Sequence, residues 1–249
     1  VTPLEAMEDA REAMAWTRSN ADRLGIDPTR IAGGGYSAGG QLAAMTAMPP
    51  DSPPGAGHRP DALVLWFPSL AAHRDPDFLR LLQDRADPAT LAPLANVGPG
   101  LPPAIVLQGS RDNVARQTDA RRFCDRMTAA GTRCDLHVYK NRGHMFPQHR
   151  DDYVDTLVQL DAFLASLGFL VGEPDAAAAR ASRPAAEYSC YSAGGHGDAL
   201  ISLQAFPARP GPTCRVGCNT NREGVNRWIK VSSIRHWGSS GCSASPPSC

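Results

Sequence analysis

The sequence predicts an α/β protein, a mostly parallel sheet flanked by helices, with an irregular C-terminal tail. Three observations carry this expectation. Over residues 1–170 short apolar or alternating runs take turns with segments of helical period, the order that lays down a parallel sheet. At Gly35-Tyr36-Ser37-Ala38-Gly39 glycines flank a serine, as a sharp strand-to-helix turn requires where a Cβ would clash. Beyond about Val171 the apolar period is lost to Ser, Gly, Pro, Cys and Arg. With 249 residues, 42% of them hydrophobic, the chain is long enough for one ordinary domain with a real core.

Thr2-Pro3-Leu4-Glu5 reads as a helix start, with Thr2 as N-cap, Pro3 at the first helical position and Glu5 completing a capping box. The helix is expected near Leu4 to Leu24. A strand from about Arg30 to Gly34 leads into Ser37, and an Ala-rich helix from Gly40 to Met48 is halted by Pro49-Pro50. Gly55 to Pro60 is linker-like, and a strand is expected near Ala62 to Phe67. Asp75 to Leu82 starts a short helix inside an insertion expected to overhang a pocket. Pro102-Pro103 opens an apolar strand that ends in the turn Gly109-Ser110-Arg111-Asp112. A helix from about Ala115 to Ala130, closed by Gly131, precedes the alternating strand Cys134 to Tyr139. The last helix, about Asp151 to Leu167, puts Val154, Leu157, Leu160, Phe163 and Leu164 on one face and stops at Gly168.

Chemistry is expected at the ends of these strands. The Gly35–Gly39 turn projects the Ser37 hydroxyl from the sheet and sets the Ala38 N–H at a helix N-terminus, where it can face a developing oxyanion. A serine needs a base to take its proton and an acid to fix that base's tautomer. Asp112, just beyond a strand's C-terminal end, is the candidate acid, and His144, in the loop after the next strand, is the candidate base. Asp112 read blandly is a turn residue, and His144 a surface histidine. Asp119 lies inside a helix and His149 lies further from the strand end, so both are weaker candidates. His137 falls within a strand pattern, while His58 and His73 precede the acid in the chain.

The run Arg30 to Ala44 around Gly35-Tyr36-Ser37-Ala38-Gly39, with Gly109-Ser110-Arg111-Asp112 and Gly143-His144-Met145-Phe146, resembles the α/β-hydrolase esterases and lipases. The likeness is to small bacterial carboxylesterases of the hormone-sensitive-lipase and feruloyl-esterase-like groups, and runs from about Leu4 to Leu167. It implies a partial α/β-hydrolase fold and carboxylic ester hydrolysis through a Ser37-His144-Asp112 triad and an acyl-enzyme. It also implies Ala38 as oxyanion donor and Gly35, Tyr36 and Gly39 as the nucleophile elbow. Met145 departs from the pattern, since many relatives carry glycine after the histidine.

The family's His-Gly-Gly-type loop, which supplies the second oxyanion donor, does not precede Ser37 here. The resemblance therefore implies a hydrolase without its early strands, with weakened activity unless a dimer or partner covers the exposed sheet edge. A prolyl-oligopeptidase-like serine peptidase and a non-catalytic truncated fragment are the competing readings.

A net charge of zero gives no electrostatic support for nucleic acid or an anionic membrane, and no apolar run is long enough for a membrane span. The expected partner is a small-molecule ester, and the triad implies no cofactor and no metal. No signal-peptide pattern is visible and the compartment is left open.

Cys124 and Cys134 flank a helix-to-strand turn and are read either as a local disulfide or as two buried thiols. Residues 171–249 form a tail expected to be poorly ordered. Within it Ala176 to Ala181 is a weak helix, Ser192 a loop serine, and Ala199 to Leu203 and Trp228 to Val231 are isolated strand candidates without a recognisable partner. Cys190, Cys214, Cys218, Cys242 and Cys249 are an odd set, and zinc ligation by Cys214, Cys218 and His236 is disfavoured by the spacing.

Overall fold

Helix α1 (Pro3–Ser19) begins as its sequence dictates, with Pro3 at the first position and the Thr2 N–H donating to Glu5 Oε2 at 2.6 Å. It does not run on to Leu24. At Asn20 the backbone leaves the helical region at φ −106° and ψ 17°, with both its N–H and its side-chain amide donating to the Trp16 carbonyl at 3.0 and 2.8 Å, and a separate turn α2 (Ala21–Leu24) ends on Gly25 at φ 67°. This computed structural model describes residues 2–48, 57–172, 201–207 and 228–231.

Strand β1 (Ile26–Tyr36) turns at Ser37 into helix α3 (Ala38–Thr46). Strand β2 (Ala62–Trp66), helix α4 (Pro76–Leu82), strand β3 (Ala104–Gly109), helix α5 (Gln117–Ala129), strand β4 (Cys134–Tyr139) and helix α6 (Arg150–Ser166) follow. The Asp75 carboxylate caps α4 by accepting the Asp77 and Phe78 N–H groups. Helix α5 starts two residues later than the sequence suggests, because the Ala115 N–H is bonded to Asp112 Oδ1 at 2.8 Å and belongs to the preceding turn.

Neighbours β4-β3-β2-β1 are all parallel, with Gly34 opposite Val64, Leu65 opposite Val106 and Val106 opposite Leu136. Parallel strands covered on both faces need apolar side chains at every position, and β2 and the first four residues of β3 supply them. Leu63, Leu65 and Val106 face a layer built by Met7 and Met14 of α1, Leu42 and Met45 of α3, and Phe123 and Met127 of α5. Val64, Trp66, Ile105 and Leu107 face the other way, onto Leu160, Phe163 and Leu164 of α6. The expected α6 face is thus buried, apart from Leu157, which is partly so.

The edge of β1, expected to be open, is paired within the chain. Strand β5 (Ile201–Pro207) lies antiparallel on it, with Gly35 opposite Ile201 and Ile31 opposite Ala205. Strand β6 (Trp228–Val231) in turn pairs antiparallel with β5, Leu203 opposite Ile229. These are the two tail segments for which the sequence offers no partner. The remaining tail expectations, namely its poor order, the weak helix at 176–181, Ser192, the cysteines Cys190, Cys214, Cys218, Cys242 and Cys249, and His236, lie outside the described residues. So do Gly55 and Ala56 of the linker.

Cys124 on α5 and Cys134 at the start of β4 are joined in a disulfide, which decides between the two sequence readings. Among the described residues no helix is long and apolar enough to cross a membrane.

Two stability predictions follow from these contacts. Removing the disulfide as Cys124→Ala/Cys134→Ala should cost about 2–3 kcal/mol in denaturant unfolding, because it closes a short loop whose freedom the unfolded chain regains. Reductant should lower the wild type to the level of the double variant. Burial raises the Asp161 carboxyl on α6 above its ordinary range. A carboxyl raised on folding binds more protons in the folded state, so stability falls as pH climbs through and above the ordinary carboxylate range. Asp161→Asn should therefore melt higher than wild type at pH 7, with the gap closing near about pH 4.

Candidate active site

The turn from β1 into α3 holds Ser37 at φ 50° and ψ −117°. For a residue with a Cβ such a conformation costs of order 1–3 kcal/mol and persists only when its surroundings over-determine it. They do so here through the backbone: Ser37 N–H donates to the Trp66 carbonyl at 3.0 Å, and the Ser37 carbonyl accepts from Gln41 N–H at 3.1 Å and Ser69 N–H at 3.0 Å. A Cβ on Gly35 would sit 2.5 Å from the Gly39 carbonyl carbon, which explains the glycine at the front of the turn. Tyr36 between them packs edge-on against Trp66, ring centres 4.9 Å apart, and stacks on Phe67 at 5.5 Å. Ala38 is the first residue of α3, so its N–H has no acceptor within the helix and is free to meet a ligand oxygen.

The other two candidates converge on Ser37. Asp112 lies beyond β3 with its side chain 0% exposed, so each carboxylate oxygen needs partners from the protein. Oδ1 accepts the Val114 and Ala115 N–H groups at 2.9 and 2.8 Å. Oδ2 accepts from Gln108 Nε2 at 3.1 Å and lies 2.8 Å from His144 Nδ1. An acceptor at that position calls for the proton on Nδ1, which leaves the Nε2 lone pair toward Ser37 Oγ, 3.1 Å away. Phe67 and the imidazole pack in a T-shaped pair, ring centres 4.6 Å apart.

Two loops must nearly touch for this alignment. Arg111 N–H donates to the Arg142 carbonyl at 2.8 Å, Asn141 N–H donates to Ser110 Oγ at 2.8 Å, and Arg142 Nε reaches Asp152 Oδ2 on α6 at 2.6 Å. A Cβ on Gly109 would lie 2.5 Å from the Arg142 oxygen and 2.7 Å from the Gly143 oxygen, so only glycine lets the loops close. Met145 adopts φ 60°, a left-handed conformation that glycine takes without strain. Its thioether side chain packs against the cluster of Phe146 and Leu160.

The rejected candidates lie elsewhere. Asp119 is on α5, 3.7 Å from Arg74 Nη1, His149 is exposed at the start of α6, and His137 lies within β4 opposite Leu107. Burial, seconded by Arg11 and Arg59 for His58 and by Arg74 for His73, holds both imidazoles below their ordinary range. Sequence reasoning missed Gln108, Gly109 and Phe67 as parts of the site. The available signal was Gln108, an amide at the end of an otherwise apolar run.

Known proteins with similar sequence or structure give this geometry a context. A model of the alpha/beta hydrolase fold matches residues 3–81. Esterase LipC of Mycobacterium tuberculosis is 34% identical over 145 residues, 49% of this chain and 36% of its own length. Carboxylesterase NlhH of the same organism is 30% identical over 156 residues, 52% of this chain and 47% of its own length. The chain thus spans about a third to a half of the length of these curated relatives. The solved structure of Thermogutta terrifontis esterase 2 phosphoramylated by tabun superposes with a TM-score of 0.63 at 31% identity, over 70% of this chain and 68% of that one. The same esterase has been solved bound to propionate and to butyrate.

The close approaches predict which glycines matter. Gly109→Ala and Gly35→Ala should each lose about 1–3 kcal/mol in denaturant unfolding, since the new methyl meets backbone atoms that cannot move aside. Gly57→Ala, whose Cβ would meet only Ala15 at 3.6 Å, should be close to neutral.

Proposed function

The chain belongs to the α/β-hydrolase family, and we propose that it is a serine-dependent carboxylic ester hydrolase with Ser37 as nucleophile, His144 as base and Asp112 as the acid that orients it. The observation that carries this reading is the unbroken line from Ser37 Oγ through His144 Nε2 and Nδ1 to Asp112 Oδ2, with steps of 3.1 and 2.8 Å.

In this reading Ser37 Oγ attacks the ester carbonyl carbon while its proton passes to His144 Nε2. Negative charge collects on the carbonyl oxygen, and the Ala38 N–H at the head of α3 donates to it where the helix end favours an anion. Collapse of the tetrahedral intermediate breaks the bond to the alcohol oxygen, which leaves with the proton from His144. Water, deprotonated in turn by His144, attacks the acyl-enzyme, and the carboxylic acid departs as Ser37 regains its proton. Asp112 keeps the Nδ1 proton in place throughout and balances the imidazolium that forms twice per cycle. The T-shaped contact with Phe67 limits tilting of the ring.

Short acyl groups are the first substrates to test, since propionate and butyrate are bound in structures of Thermogutta terrifontis esterase 2. On an aryl butyrate, Ser37→Ala and His144→Ala should lose turnover to background while His149→Ala keeps the wild-type rate. Asp112→Asn should stay folded and slow the reaction by about 10⁴, because the amide selects the wrong histidine tautomer. Undiminished turnover in Ser37→Ala would contradict the nucleophile assignment, and loss in His149→Ala with retention in His144→Ala would move the base.

A further inference from the structure

The carboxylate of Asp112 is held by a residue with no role in the chemistry described above. Gln108 is 0% exposed, within the apolar end of β3. Its Nε2 faces the Asp112 Oδ2 at 3.1 Å, the Ala115 carbonyl at 2.8 Å and the Gly109 carbonyl at 3.3 Å. Three oxygens converge on one nitrogen with two hydrogens, and rotating the amide by half a turn would set oxygen against all three. This fixes the donor toward the carboxylate. The Gln108 Oε1, by contrast, is buried with no hydrogen-bond partner among the described residues.

An unmatched buried acceptor destabilises the fold, and an apolar side chain of similar volume in this strand would avoid it. The arrangement makes sense if the donor end serves the site. Oδ2 is the very oxygen that faces His144 Nδ1, and the Gln108 amide is what keeps that oxygen from swinging toward Ala115. The bonds to Val114 and Ala115 anchor Oδ1 alone and leave the carboxylate free to rotate about its own axis. The amide supplies the second point that defines its plane.

We infer that Gln108 is a positioning residue for the ester hydrolysis, acting through Asp112 to keep Oδ2 in line with His144. The inference rests on the triad assignment above. Being fully enclosed, Gln108 cannot touch substrate, so its effect falls on kcat and leaves KM unchanged.

The test is a double-mutant cycle on aryl butyrate turnover. Gln108→Met keeps the length and removes the amide. It should retain the fold by circular dichroism, since it also removes the unmatched Oε1, and should lower kcat about ten- to a hundred-fold with KM within about twofold. In the Asp112→Asn background the same change should alter kcat by less than about twofold, because the carboxylate through which Gln108 acts is gone. Gln108→Leu provides a second apolar variant with a different packing shape. A folded apolar variant with wild-type kcat would overturn the inference, and so would an equal loss in both backgrounds, which is what a general packing defect produces. Absence of turnover in the wild type would instead overturn the functional reading, and this inference with it.

Discussion

A fully buried carboxylate governs this architecture. Removing Asp112 from water costs several kcal/mol unless the protein replaces its hydration, and four donors do so: two backbone N–H groups, the Gln108 amide and His144. Each replacement fixes a piece of chain. The two N–H bonds close the turn after β3 and delay α5, the amide ties the turn back to the strand, and the imidazole draws in the loop after β4. Loop contact then requires Gly109 to lack a side chain. The geometry around Ser37 thus depends on satisfying a charge 75 residues further along the chain, since the three groups all emerge at the C-terminal edge of β1, β3 and β4 in one parallel array.

That edge exists because β2 and β3 are buried on both faces. Leu63 and Leu65 on one side and Val64 and Trp66 on the other commit β2 to a central place, and the crossing helices then lie above and below the sheet. Strain at Ser37 is tolerated because β2 lends the Trp66 carbonyl and the following loop lends the Ser69 N–H. On the far side of β1, strands β5 and β6 continue the sheet with reversed direction, so the strand bearing Ser37 is paired on both edges.

Much of this was legible in the sequence, for identifiable reasons. Ser37, Asp112 and His144 could be picked out because each follows a short apolar run and their order matches one known chemistry, and the structure brings them within hydrogen-bond reach. The capping box and Pro3 that start α1, and the apolar face of α6 with its stop at Gly168, were readable because those signals are local. The break at Asn20 was not, since it turns on the backbone dihedrals of a single residue, φ −106° and ψ 17°. Pairing of β5 with β1 joins segments about 170 residues apart, and nothing in either segment encodes the other as partner. Gly109 read as a turn glycine, whereas its real constraint comes from the carbonyls of Arg142 and Gly143, and Gln108 gained its meaning only once Asp112 was seen beside it.

The central claim is that Ser37 is an activated nucleophile rather than a serine at a strained turn. The direct measurement is peptide-mapped mass spectrometry of this chain after treatment with a fluorophosphonate, which requires an activated serine and no knowledge of the substrate. The account predicts a single adduct on Ser37 that forms in the wild type and not in the folded His144→Ala variant. An unmodified Ser37, or equal labelling with and without His144, would contradict it.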